Sequence, residues 1–118
     1  MPKIVYLDDD RIQHMLMKKI FKIQLPDWSS ENFTQPEDLY EWLAENDPEI
    51  ILSDLNLEHS SAWEWVEKFG ENSPAKIVFL TAHISSEDLE KMKKFDQVKF
   101  IFEKPLSQEN WDEIKGLI

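Results

Sequence analysis

The chain has 118 residues, enough for one ordinary domain with a real core and too few for two comfortable ones, so one domain spanning residues 1–118 is expected. Its formal net charge of −11, from 13 Lys and Arg against 24 Asp and Glu, disfavours binding to nucleic acid or anionic lipid, which relies on clustered cations. The absence of cysteine excludes disulfides, thiolate nucleophiles and Cys-ligated metal centres, and no apolar stretch reaches membrane-spanning length or forms a signal peptide, so a soluble cytoplasmic protein is expected.

The first element is the strand KIVYL (3–7), which ends on Asp8, Asp9 and Asp10. Asp10 with Gln13 has the spacing of a helix cap, and Ile12, Met15, Leu16 and Ile20 form an apolar stripe that the helical period predicts to face the core. A weaker strand, SENFT (30–34), leads to a helix opened by Thr34 with Glu37 and carrying Leu39, Trp42 and Leu43. The run EIILS (49–53) ends on Asp54. Ser61 with Glu64 then opens a third helix, whose stripe is Ala62, Trp65, Val66 and Phe69. Trp63 lies off that stripe, and a partly exposed position open to a partner is expected for it. KIVFL (76–80) ends on Thr81, Ser85 with Asp88 opens a fourth helix, VKFIF (98–102) runs into Lys104-Pro105, and Ser107 opens the last helix.

Runs that are apolar on successive residues, such as IVYL and IVFL, suit strands covered on both faces, and their alternation with helices predicts a doubly wound parallel α/β sheet. Five strands and five helices are expected, with the helices on both faces. In such sheets functional groups gather beyond the carboxyl ends of the strands. That edge would collect Asp8, Asp9, Asp54, Thr81 and Lys104, which are far apart in sequence.

Clustered carboxylates repel: two about 4 Å apart cost roughly 4 kcal/mol at an effective dielectric near 20. A hard dication offsets the repulsion, and magnesium takes octahedral oxygen ligands from carboxylates, water and phosphate. One carboxylate of such a set can act as a nucleophile toward phosphorus, because phosphoryl transfer asks mainly for positioning and charge neutralisation. Asp10 is better explained as a helix cap than as a ligand. His14, His59 and His83 lack metal-ligand spacing, and surface positions are expected for them.

These marks together, LDDD, LSDLNL, VFLTAH and FEKP, resemble the receiver domains of two-component response regulators. Thr81 stands 27 residues past Asp54, and Lys104 a further 23 past Thr81. The resemblance covers essentially the whole chain and implies a flavodoxin-like strand order 2-1-3-4-5. It implies that Asp54 accepts a phosphoryl group and belongs to a Mg2+ site with Asp8, Asp9 and Asn56, in which Asp9 binds the ion directly, Asp8 acts through water and the Asn56 carbonyl is a further ligand. Thr81 would hydrogen-bond the phosphoryl group, Lys104 would pair with it, and the Lys104-Pro105 bond would be cis. Asn56 and His83 would border the phosphoryl group and set its lifetime. The implied partners are a histidine kinase or histidine phosphotransfer protein and a downstream protein target, with no nucleic acid or membrane, for a monomer or weak homodimer.

Three positions depart from the family pattern. Glu58 stands where a proline is usual, Ala62 where a glycine is usual, and Ile101 where an aromatic usually precedes the lysine by three residues. Strand alternation points Phe100 and Phe102 to the face opposite Ile101. With no further domain following Ile118 in the sequence, output is expected through a surface around Leu89, Met92, Phe100 and Trp111. A phosphorylation-independent, receiver-like interaction module is the alternative. A haloacid-dehalogenase-like phosphatase is a more distant one, suggested by the Asp-x-Asp spacing of Asp8 and Asp10 but leaving Asp54 without a role. A flavodoxin-like electron carrier would need a phosphate loop after the first strand that the sequence lacks.

Overall fold

A computed structural model describes all residues from Met1 to Ile118. In chain order it contains β1 (Lys3–Leu7), α1 (Arg11–Gln24), β2 (Ser29–Phe33), α2 (Pro36–Leu43) and β3 (Ile50–Asp54). A 3-10 turn (Ala62–Trp65) then leads into α3 (Val66–Asn72), followed by β4 (Lys76–Thr81), α4 (Ser86–Met92), β5 (Val98–Glu103) and α5 (Gln108–Lys115). The strands are all parallel in the order β2-β1-β3-β4-β5, as expected for a flavodoxin-like sheet.

Strand alternation divides the core into two layers. Val5, Leu7, Ile51, Ile77, Phe79 and Ile101 face one side, under α2 and α3. Ile4, Tyr6, Ile50, Leu52, Val78, Leu80 and Phe102 face the other, against Met17 and Phe21 of α1 and Trp111 and Ile114 of α5. Ile101 and the pair Phe100/Phe102 therefore lie on opposite faces, as alternation requires.

The caps separate correct from incorrect readings. Asp10 accepts the Ile12 amide at 2.9 Å, and Ser85 with Asp88 closes a complete capping box, as Ser107 does with Asn110. Thr34 does not cap α2. Gln35 holds the cap position without a side-chain bond, and Pro36 opens the helix with its pre-set φ.

Of the apolar stripe expected on α1, only Ile20 packs against the core. Ile12, Met15 and Leu16 are exposed at 66%, 67% and 50%, while Met17 and Phe21 are buried. Apolar residues occur around much of this helix, so two neighbouring stripes compete, and the true one contains His14, which reads as polar. Trp63 is buried, not exposed. Its segment winds as a 3-10 turn, in which residues three apart eclipse, so Trp63 shares a face with Val66 and inserts edge-on against Phe79. Trp111 is likewise core rather than surface, edge-on to Phe21. Leu89 is exposed, and α4 has no fully buried residue, which makes it the least anchored helix.

Candidate functional site

The sheet register assembles the site. Leu7 pairs with Ser53, so the next residues, Asp8 and Asp54, leave adjacent strands at one level. Thr81 pairs with Glu103, which brings Lys104 to the same edge. This is the point where strand order reverses, between β1 and β3.

Asp8, Asp9 and Asp54 each place a carboxylate oxygen within 4.8 Å of the others. Lys104 Nζ lies 3.2 Å from Asp54 Oδ1, and the Lys104-Pro105 bond is cis. Burial raises the Asp54 carboxyl above the ordinary carboxylate range. Lys104 opposes that rise, while Asp8 and Asp9 add to it. Asp10 stands apart from the cluster as the α1 cap, so the Asp-x-Asp spacing does not build a second carboxylate centre.

Each carboxylate of the cluster meets donors from its own surroundings. Asp8, 1% exposed, accepts the Asp10 amide on Oδ1 at 2.9 Å and the Tyr6 hydroxyl on Oδ2 at 2.7 Å. Asp9 accepts the Glu58 amide. A proline at that position has no N–H to give, so this link from the metal-site candidate to the β3–α3 loop depends on the departure at Glu58. The same loop is closed by a bridge between Asn56 and Ser61 and by the Ala62 amide on the Leu55 carbonyl at 2.9 Å.

Thr81 is buried, and its hydroxyl donates to the His83 carbonyl at 3.1 Å while accepting Asn56 Nδ2 at 3.4 Å. The His83 amide approaches the same oxygen at 3.4 Å. Asn56 and His83 thus converge on Thr81. The His83 ring is exposed, 3.7 Å from Glu103, and His59 is exposed as well.

His14 is not a surface residue. Its Nε2 lies 2.6 Å from the Asp8 carbonyl, which can only accept, so Nε2 donates there, and Nδ1 is buried without a partner. Tyr6 and His14 were missed in the sequence, although one signal was there. Tyr6 interrupts an aliphatic run two residues before Asp8, which in a strand puts both side chains on one face.

As to metal, the donors fit a hard dication: three carboxylates converge, with no thiolate or imidazole in the set. Asp9 and Asp54 could hold it directly. Asp8, with both oxygens already hydrogen-bonded, suits contact through water.

Residues 4–114 match the response regulator receiver domain. No curated protein matches the chain. Among solved structures, a two-component response regulator from Clostridium difficile superposes with a TM-score of 0.86 at 17% identity, covering 99% of this chain and 95% of that one. A CheY-like receiver domain protein from Methanospirillum hungatei JF-1 gives 0.85 at 18% identity, covering 98% and 92%. A response regulator from Burkholderia pseudomallei, described with a phosphorylated aspartic acid, a calcium ion and citrate, gives 0.79 at 17%, covering 98% and 72%. With the family matched over nearly its whole length and the sheet order agreeing, the chain belongs to the response regulator receiver domains.

Proposed function

We propose that this receiver domain accepts a phosphoryl group on Asp54, in a magnesium-dependent transfer from a phosphohistidine on a histidine kinase or phosphotransfer protein, and releases it by slow hydrolysis. The observation that carries the reading is the Asp54–Lys104 pair at 3.2 Å beside two further carboxylates at the switch point of the sheet. An Asp54 oxygen attacks phosphorus, the P–O bond forms as the P–N bond breaks, and the donor imidazole leaves neutral once it takes a proton. Asp9, Asp54 and the Asn56 carbonyl would hold a magnesium ion, with Asp8 engaged through water, and the ion would supply positive charge against the phosphoryl oxygens. Lys104 moves from Asp54 Oδ1 to a phosphoryl oxygen. Thr81 exchanges its bond to the His83 carbonyl for another phosphoryl oxygen, and Asn56 and His83, which surround that hydroxyl, control water access and hence lifetime.

The donor protein must reach this edge. Ile12, Met15 and Leu16 of α1 are exposed, and Leu16 lines a cavity of about 370 Å3 that also reaches Lys104, Pro105 and Trp111. Exposed apolar side chains beside a reaction centre are what a docking protein covers. The reading implies a cytoplasmic protein, with output by protein contacts. A phosphorylation-independent module is the second reading, favoured by Ile101, a buried β-branched residue that offers no swinging ring.

The test is intact mass after incubation with acetyl phosphate, with and without magnesium, for wild type and Asp54→Asn. A single base-labile phosphate that needs magnesium and vanishes in Asp54→Asn is expected. An unphosphorylated protein that still binds magnesium overturns the reading in favour of the interaction module.

A further inference from the structure

We infer that Tyr6 is a positioning residue for the metal site: its buried hydroxyl holds the Asp8 carboxylate in the orientation that a bound magnesium ion requires. The inference rests on the proposed function, in that it takes the cluster of Asp8, Asp9 and Asp54 as a magnesium site.

Tyr6 is the penultimate residue of β1, completely buried, where the core demands only an apolar side chain. A phenol there must bring its hydroxyl a partner, and the partner is Asp8 Oδ2 at 2.7 Å. The ring cannot tilt away. It stands edge-on to Phe21 at 6.2 Å and to His14 at 4.9 Å, so neighbours on α1 fix its plane and with it the direction of the O–H. His14 in turn fixes the backbone of Asp8 by donating Nε2–H to its carbonyl. One ring is thus clamped by a second that grips the same residue, and the Asp8 side chain and main chain are held together.

The other carboxylate oxygen, Oδ1, accepts the Asp10 amide, and that amide belongs to the residue capping α1. Asp8 therefore has no rotational freedom of its own. A carboxylate oxygen has two lone pairs, so these two bonds leave each oxygen one further acceptor direction, which suits a metal-bound water.

Without the hydroxyl, a carboxylate that is 1% exposed loses its side-chain donor. It has to turn toward water to recover one, and the turn moves it off the position it shares with Asp9 and Asp54. Part of that loss falls equally on the metal-free and metal-bound forms, so only the remainder appears in binding, about three- to tenfold.

The experiment is a magnesium titration of wild type and Tyr6→Phe at one pH, followed by backbone amide NMR shifts, with thermal unfolding of both metal-free proteins beside it. The expected result is a Kd raised about three- to tenfold in Tyr6→Phe while the protein stays folded. An unchanged or lower Kd overturns the inference, whatever happens to stability, because a hydroxyl with a purely structural role changes unfolding alone. If wild type shows no saturable shifts, the magnesium site itself fails and the inference with it, a result distinct from equal binding by both proteins.

Should Tyr6→Phe not fold, Tyr40→Phe leaves Tyr6 as the sole tyrosine, since the chain has two. Its ring-carbon resonance next to the hydroxyl is then expected to follow magnesium with the same midpoint as the backbone, and a resonance that does not move overturns the inference.

Discussion

Removing the Asp54 charge should stabilise the metal-free protein. The cluster's oxygens lie within 4.8 Å of one another, so at an effective dielectric near 20 Asp54 is repelled by about 3.5 kcal/mol from each of Asp8 and Asp9. Lys104 at 3.2 Å returns about 5 kcal/mol on the same scale, and its partial exposure screens that attraction further. Repulsion wins, and burial of the charge adds to it. Asp54→Asn, nearly isosteric, is therefore expected to gain about 2 kcal/mol without magnesium, roughly 5–10 °C in unfolding midpoint for a domain of this size. Thermal unfolding in a chelator followed by far-ultraviolet circular dichroism measures it. Adding magnesium should narrow the gap, because wild type gains more binding free energy than the variant. The pH dependence has a definite sign. The Asp54 carboxyl is raised in the folded state, so the native protein binds its proton at higher pH than the unfolded chain does. Its destabilising effect is complete above the folded value and fades as pH falls through it. The advantage of Asp54→Asn should therefore shrink on acidification from neutral pH. An Asp54→Asn protein less stable than wild type without metal, or an advantage that grows on acidification, refutes the argument.

Two other substitutions test the packing and the docking surface. The Trp63 indole donates to Asp88 Oδ1 at 3.1 Å, and Trp63→Phe keeps a ring against Phe79 but loses that bond and some volume, so a loss of about 1–3 kcal/mol in chemical unfolding is expected. Burial works to raise Asp88, but bonds from Ser85 and Trp63 outweigh it and hold the carboxyl low, so the bond's part of the Trp63→Phe loss should be present at neutral pH and vanish as pH falls through the depressed Asp88 range. Leu16→Glu, at a half-exposed position, should leave stability within about 0.5 kcal/mol and acetyl phosphate labelling unchanged, while slowing phosphotransfer from a phosphohistidine protein by about tenfold. Equal effects on both donors would show that α1 is not the docking face.

The fold was legible wherever one physical rule acted alone. Strands buried on both faces announce themselves as unbroken apolar runs, and three of the five are of that kind, while Lys99 breaks the run of the edge strand β5. The readings that failed are places where two rules compete. On α1 the helical period allows two adjacent apolar stripes, and the core took the one containing His14 because that ring packs on Tyr6 and donates to Asp8. At Trp63 the period itself changed, from 3.6 to 3 residues per turn, and carried a side chain expected outside into the core. At Thr34 a cap residue yielded to Pro36, whose fixed φ starts a helix without a side-chain bond.

The candidate site was legible as a set of residues and not as a network, for a reason that lies in the charges. A strand end accepts an aspartate only if something answers its burial, and here each of the three has a different answer: Tyr6 and the Asp10 amide for Asp8, the Glu58 amide for Asp9, and Lys104 for Asp54. Motif spacing names the acids, because their order along the chain follows the order of the strands. It does not name two of the donors, because one is a phenol inside an apolar run and another is a backbone amide that exists only where proline is absent. These donors keep the acids in place without metal, and they lie on segments that any ligand at the site must pull on. On the proposed reading, a phosphoryl group on Asp54 or a metal at Asp9 would be felt first in the Glu58 loop and, through Ser61, which caps the turn carrying Trp63, at the indole bonded to α4, the helix with the least burial to resist it.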